Sequence, residues 1–212
     1  MEKIVIVGGG GHAKSAINVI RKTLRFRIVG YVDVKDQGAI LESRYLGSDQ
    51  QLPHLLKKYP RCSAVLGVGY VKILKKRKEL KEKLIALGFK LPVIVSPTAV
   101  INEQVTIGQG TIVHDNVVIN TGTAIGECAI INNASCIDHD CKIGNFVHVA
   151  PGVTLSGGVI VGDYSILGAG STVIQYKTIG KNCLIGAGST VIKDCLKPGM
   201  YLGSPAKFRK SM

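Results

Sequence analysis

Residues 101–143 read INEQVTIGQGTIVHDNVVINTGTAIGECAIINNASCIDHDCKI, with an aliphatic residue at every sixth position from Ile101 through Ile107, Val113, Ile119, Ile125, Ile131 and Ile137 to Ile143. The register continues without a gap through Val149, Leu155, Val161, Leu167, Val173, Ile179 and Ile185 to Val191. Two residues ahead of most of these stands a small or β-branched residue, among them Thr111, Val117, Thr123, Ala129, Ser135, Val147, Val153, Ser165, Ser171 and Ser189. A helix repeats at about 3.6 residues and a strand at about 2, so neither explains a strict period of six. A solenoid does: each hexapeptide makes a short strand and a corner, with the aliphatic side chain turned inward. Gly108, Gly126, Gly144, Gly162 and Gly180 recur every eighteen residues, or three hexapeptides. One coil therefore has three sides, with these glycines stacked at one corner, where unusual backbone angles favour Gly.

Outward from this stretch the pattern changes. Residues 1–95 read as a small Rossmann-like α/β domain, and residues 96–212 as the all-β solenoid with its C-terminal tail, divided at Ser96-Pro97. In the first part we expect strands at Lys3–Val7, Arg27–Val32, Ser63–Val68 and near Leu91–Val95. Helices are expected at Ala13–Lys22, near Asp49–Tyr59, and across the basic segment Lys72–Lys90. Alternating strands and helices imply a parallel sheet.

Between the first strand and helix, Gly8, Gly10 and Ala13 spell G-x-G-x-x-A, and Asp33 follows about twenty residues later. Such a turn places backbone amides and a helix N-terminus against phosphates. The domain is too short for the second half of a full dinucleotide fold, which argues against NAD. A nucleotide or nucleotide-sugar phosphate site and a purely structural turn both remain open. His12 stands at the mouth of the turn, as a donor to phosphate or ribose or as a local backbone cap.

The net charge is +13, concentrated in the basic segment that carries Lys75, Lys76, Arg77, Lys78, Lys81 and Lys83 among apolar residues. We read it as a solvated helix face; no nucleic-acid motif accompanies it. No apolar run is long enough for a membrane span, and Met1–Val7 runs straight into a strand rather than a signal peptide. The expectation is a cytoplasmic protein. The six cysteines form no CxxC pair and read as buried structural thiols.

One coil departs from the repeat: Ile131-Asn132-Asn133-Ala134-Ser135-Cys136-Ile137-Asp138-His139-Asp140-Cys141. A histidine between two carboxylates suits general-base work, because a carboxylate raises the imidazole pKa and fixes its tautomer. His148 lies nine residues on, half a coil, and so on a different side of the prism. The two histidines can share a pocket only if a second subunit supplies one of them. His54 and His114 have no such company and read as structural or surface residues.

The hexapeptide register, the Asp138-His139-Asp140 coil, the Gly8-Gly9-Gly10-Gly11-His12 turn and the ending Gly203-Ser204-Pro205-Ala206-Lys207 together resemble the bacterial nucleotide-sugar acetyltransferases of the left-handed β-helix superfamily. The resemblance covers essentially the whole chain. It is closest to the N-acetyltransferases that modify the 4-amino group of UDP-4-amino-4,6-dideoxy sugars of the bacillosamine type. The resemblance implies a homotrimer with acetyl-CoA in the groove between adjacent β-helices and no metal. It implies nucleotide-sugar contacts at Gly9, Gly11, His12, Asp33 and Gly69, and further pocket positions at Asn132 and His148. The base maps onto His139, with Asp140 or Asp138 as its partner. Coenzyme contacts map onto Gly157, Ala169, Ala187 and Lys207. Transfer is then direct, with a backbone amide near Gly157 stabilising the oxyanion. The related sialic acid O-acetyltransferases share the two-part plan and stay open as an alternative. A metal-dependent or non-catalytic β-helix protein is a more distant one.

Overall fold

The computed structural model describes residues 1–69 and 74–211. It divides into two compact units, Met1–Val95 and Ser96–Met212.

In the first unit, β1 (Glu2–Val7), α1 (Gly11–Lys22), β2 (Phe26–Val32), α2 (Leu52–Lys58), β3 (Ser63–Leu66) and α3 (Leu74–Ala86) alternate as expected. The three strands form a parallel sheet in the order β2-β1-β3. Ile4, Val5 and Ile6 of β1 are fully buried, as are Ala64, Val65 and Leu66 of β3, and Ala16, Ile17 and Ile20 of α1 pack away from solvent with them. The C-terminal ends of all three strands point to one edge, which is where α/β sheets of this kind place their ligands.

Three expectations need correction. First, β3 ends at Leu66, not Val68. Gly67 lies where a Cβ would meet Ile6 Cγ2 at 2.7 Å and Gly8 O at 2.9 Å, so the chain is squeezed past the glycine turn instead of continuing the ladder. Second, the strand expected near Leu91–Val95 does not form in this sheet: among the described residues the chain meets it at one bridge, Ser63 to Lys90, just before that segment. Ile94–Val95 is a separate two-residue strand. Third, the basic helix is not solvated throughout. Arg77 is 1% exposed, and its guanidinium donates to the carbonyls of Leu66 and Val68. These carbonyls lie at and just beyond the end of β3, and one nitrogen of the buried guanidinium, Nη1, reaches both. Leu84 is buried as well, while Lys78 and Lys83 lie at the surface, Lys78 3.6 Å from Glu82 and Lys83 2.6 Å from Asp49. Lys72 and Ile73 lie outside the described residues.

The second unit is the parallel β-helix, on the left-handed plan. Two-residue strands stack on three faces, each pairing with the residues eighteen before and after, as Ile130–Ile131 does with Ile112–Val113 and His148–Val149. The first face runs through Ile112–Val113, Ile130–Ile131, His148–Val149, Ile166–Leu167 and Cys183–Ile185. The second runs through Val100–Ile101, Val118–Ile119, Cys136–Ile137, Thr154–Leu155, Thr172–Val173 and Thr190–Val191. The third runs through Thr106–Ile107, Ala124–Ile125, Lys142–Ile143, Ile160–Val161 and Thr178–Ile179. The hexapeptide aliphatics are buried from Val113 to Val191. Ile101, in the first coil of the unit with no coil before it, is 36% exposed.

The small position is also inward, and its hydroxyls knit coils together. Thr123 Oγ1 donates to Asp138 O at 2.8 Å and accepts from Cys141 N–H at 3.1 Å. Thr111 and Ser165 repeat the arrangement two hexapeptides before and seven hexapeptides after. These three buried hydroxyls are thus satisfied inside a narrow apolar core.

The glycine stack has a different cause from the one expected. Gly108, Gly126, Gly144, Gly162 and Gly180 are absent from the residues with positive φ. A Cβ on Gly108 or Gly162 would lie 2.6 Å from backbone of the next coil, so close approach, not an unusual angle, excludes a side chain. Left-handed φ falls instead on another six-residue register, including Gln104, Asn116, Cys128, Ala134, Asp140, Phe146, Tyr164, Tyr176 and Asn182. Among the cysteines, Cys136 is exposed, because its strand turns Ile137 inward and Cys136 outward. The other five are buried, and burial pushes the Cys141 thiol up to about 11.

Candidate active site

His139 stands on the corner between the second and third faces, just after the strand Cys136–Ile137. Its Nδ1 lies 2.8 Å from Asp140 Oδ2. A carboxylate can only accept, so Nδ1 carries the proton and Nε2 presents its lone pair. Asp138 serves the backbone instead. Its Oδ1 accepts from the His139 backbone N–H at 2.8 Å and from Asn120 Nδ2 at 2.9 Å. The question of which carboxylate reaches the imidazole is therefore answered by Asp140. The hydrogen bond to Asp140, with the charge of Asp138 behind it, raises the His139 pKa above its ordinary value. The Asn120 and backbone donors hold the Asp138 carboxyl below the usual range.

Two glycines, neither singled out for this role by the sequence, make room for the pair. A Cβ on Gly122, one coil before, would lie 2.6 Å from Asp140 Oδ1. A Cβ on Gly157, one coil after, would lie 2.5 Å from His139 Nε2. The imidazole thus rests on Gly157, and among the described residues the Gly157 N–H donates to no protein acceptor. Asn120 was also missed. All three lie eighteen residues from a site residue, so adding and subtracting one coil length was the signal that would have found them.

The remaining expected residues fall elsewhere on the unit. His148 belongs to the first face. Asn132 follows the first-face strand Ile130–Ile131, and its Oδ1 accepts from Asn133 N–H at 2.9 Å. Exposed Ala169 and Ala187 occupy the same corner as Asn132, two and three coils on. Lys207 begins the exposed tail strand Lys207–Lys210, antiparallel to Gly199–Leu202. Within one chain, His139 and Gly157 share one corner, while Asn132, His148, Ala169 and Ala187 lie beyond the second face. His114, expected to be structural or at the surface, is 1% exposed, and burial pushes its pKa down to about 4.

In the first unit, the glycine turn and the residues around it gather at the C-terminal strand ends. Gly9 N–H donates to Asp33 Oδ2, which lies within reach of Val34 N–H through its other oxygen. A Cβ on Gly69 would lie 3.0 Å from His12 Cβ, so these two residues are in contact. Gly10 caps α1 without any side-chain cap, and a Cβ on Gly10 or Gly11 would meet nothing within 4 Å. The helix N-terminus is left open, a geometry suited to an anion. Among the described residues, no group of three or more His, Cys, Asp or Glu stands ready to hold a metal.

Comparison with known proteins follows the same division. Residues 3–84 match the PglD N-terminal domain and residues 140–175 the bacterial transferase hexapeptide (six repeats). A histidine-to-asparagine mutant of perosamine N-acetyltransferase from Caulobacter crescentus, solved in complex with CoA and GDP-perosamine, is 34% identical to this chain. The match covers 99% of this chain and 98% of that one, with a TM-score of 0.93. The chain belongs to the nucleotide-sugar N-acetyltransferases of the hexapeptide β-helix superfamily. The acetyltransferase domain of PglB from Neisseria gonorrhoeae FA1090, solved with acetyl coenzyme A, is 30% identical over 98% of this chain and 99% of that one, with a TM-score of 0.89. WeeI from Acinetobacter baumannii AYE shares the fold at 22% identity and a TM-score of 0.87, covering 99% of this acetyltransferase chain and 100% of its own. No curated protein matches the sequence. No helix among the described residues is long and apolar enough to cross a membrane.

Proposed function

We propose that this acetyltransferase moves the acetyl group of acetyl-CoA to the 4-amino group of a nucleotide-linked 4-amino-4,6-dideoxy sugar, with His139 as general base. The observation that carries the reading is the imidazole pinned by Asp140 through Nδ1, with Nε2 turned over Gly157. In the proposed step the amine attacks the thioester carbonyl and His139 Nε2 takes the amine proton. The Gly157 N–H stabilises the oxyanion until the tetrahedral intermediate collapses and coenzyme A leaves as the thiol. Asp140 holds the imidazolium that forms. Orientation of the two substrates in one groove supplies much of the remaining acceleration.

The nucleotide is assigned to the open α1 N-terminus and to Gly9, Gly11, His12, Asp33 and Gly69. Asp33 and Gly9 shape the turn through their mutual hydrogen bond, and Gly10-Gly11 leave room for a diphosphate. The bacillosamine-type reading makes the carrier UDP. GDP is the second reading, favoured by the GDP-perosamine held in the Caulobacter structure. The acetyl-CoA binding residues are Gly157, Ala169, Ala187 and Lys207. Because His139 and Gly157 stand on one corner and Asn132, His148, Ala169 and Ala187 beyond the next face, we assign the site to the groove between neighbouring subunits of a homotrimer. All six cysteines are free thiols, in keeping with a reducing cytoplasm.

The test is thiol release from acetyl-CoA in the presence of UDP-, GDP- or dTDP-linked 4-amino sugars, or of a sialic acid. Release with an amino sugar and not with the sialic acid is expected. Release with only the sialic acid would transfer the protein to the O-acetylating relatives.

A further inference from the structure

The corner that carries His139 changes character there. Before it, a ladder of amides runs outward along the coils: Asn102 Nδ2 donates to Asn120 Oδ1 at 3.0 Å, and Asn120 Nδ2 to Asp138 Oδ1 at 2.9 Å. After it, the same register carries Ser156, Ile174 and Ile192, the last 42% exposed. Two residues along, the register runs Gly122, Asp140, Gly158 and Tyr176, each with left-handed φ. Glycine takes that backbone without strain, whereas Tyr176 holds φ at 57°. Its side chain is 72% exposed, so neither the backbone nor the core calls for a tyrosine.

The ring does not trail into solvent. It folds back along the helix axis onto the preceding coil, where a Cβ on Gly158 would lie 2.5 Å from Tyr176 Cδ1 and 2.7 Å from Cε1. His139 reaches the neighbouring Gly157 from the opposite direction. Imidazole and phenol thus converge, from one coil before and one coil after, on the dipeptide Gly157-Gly158. The polar amide ladder lies on the imidazole side of that dipeptide and the apolar residues lie on the phenol side.

We propose that Tyr176 positions the coenzyme: its exposed ring, with Ile174 and Ile192, forms the apolar wall along which the pantetheine arm of acetyl-CoA lies as it delivers the thioester to Gly157 and His139. The inference rests on the acyl-CoA reading above and gives it a direction, with the arm on the C-terminal side of His139 and the polar acceptor on the other. An aromatic face suits a thin, flexible, largely apolar chain, since it buries area and restricts the arm's rotations without fixing a hydrogen bond. The amides of the preceding coils suit a hydroxylated sugar.

The experiment is calorimetric binding of CoA, and of S-acetyl-pantetheine lacking the nucleotide, to the full-length wild type, Tyr176→Ala and Tyr176→Phe, each checked for size by chromatography. Tyr176→Ala is expected to weaken both ligands by about tenfold, and Tyr176→Phe to stay within about twofold of wild type, because packing and not the hydroxyl is at work. The KM for the amino sugar should not follow the loss. Unchanged affinity in Tyr176→Ala, or a loss confined to intact CoA, overturns the proposal. So does a shift to a smaller species, which would make Tyr176 a contact between subunits instead. Binding requires no acceptor, so a wild type that binds CoA with the stated Tyr176 dependence yet acetylates no amino sugar would sink the acceptor reading alone. A wild type that binds no CoA sinks both.

Discussion

At His139 two neighbouring carboxylates divide the work. Asp140 takes the ring and Asp138 takes the backbone, where Asn120 holds it. The base must be neutral to accept a proton, and its pKa is raised above the ordinary 6.5, so turnover should fall as pH drops through that raised value. Asp140→Asn removes the largest cause of the shift. The acid limb of the kcat/KM profile should then move to lower pH, toward the ordinary imidazole value, while turnover drops because the tautomer is no longer fixed. A limb that stays in place would show that another group titrates. Gly157→Ala is the steric counterpart. Its Cβ would stand 2.5 Å from Nε2, so the ring must swing away. A displacement of about 1 Å in a catalytic group can cost on the order of 10²-fold. We expect a loss of that size in turnover with melting temperature retained; near-normal turnover would show that the ring position is not needed.

At the scale of elements, the period of six made the coil and its inward residues readable because inward positions admit only aliphatic or small side chains. The left-handed register was not readable. Cys128, Ala134, Phe146, Tyr164 and Tyr176 occupy it as well as Asn116 and Asn182, since the coil's closure imposes the angle and the residue merely tolerates it. The glycine stack was visible, but its reason, contact with the next coil's backbone, needs three dimensions. Asp138-His139-Asp140 stood out as a constellation in one coil. Asn120 and Gly122 did not, because their contribution is made across coils, and Gly157 was reached only through the family resemblance. In the first unit, Arg77 read as one cation among many, and only the early end of β3 exposes the carbonyls it serves.

His114 gives the solenoid a measurable acid sensitivity. Burial holds its folded pKa near 4, below an unfolded value near 6.5, so the folded state resists protonation. Its full stability is present above the unfolded value and is lost as pH falls from about 6.5 to about 4, by about 3 kcal/mol. Urea unfolding at neutral pH and near pH 4.5 should show this loss in the wild type and a smaller one in His114→Gln. Equal losses in both proteins would assign the acid sensitivity to other groups.

At the scale of the whole molecule, a proposed site between neighbouring copies makes a prediction that no single-chain site does. His139→Ala and His148→Ala each remove a group from a different corner or face. If neighbours complete one another's sites, refolding the two variants together should restore activity that neither has alone, since some mixed interfaces join an intact His139 to an intact His148. No recovery, with mixed oligomers verified, would confine the site to one chain. The most direct test of the central claim is steady-state turnover of His139→Ala with acetyl-CoA and the preferred nucleotide-linked amino sugar. A positioned general base contributes roughly 10²–10⁴-fold, so kcat should fall by that factor while CoA affinity is kept. A variant that turns over almost as fast as the wild type would contradict the assignment of His139 as the base.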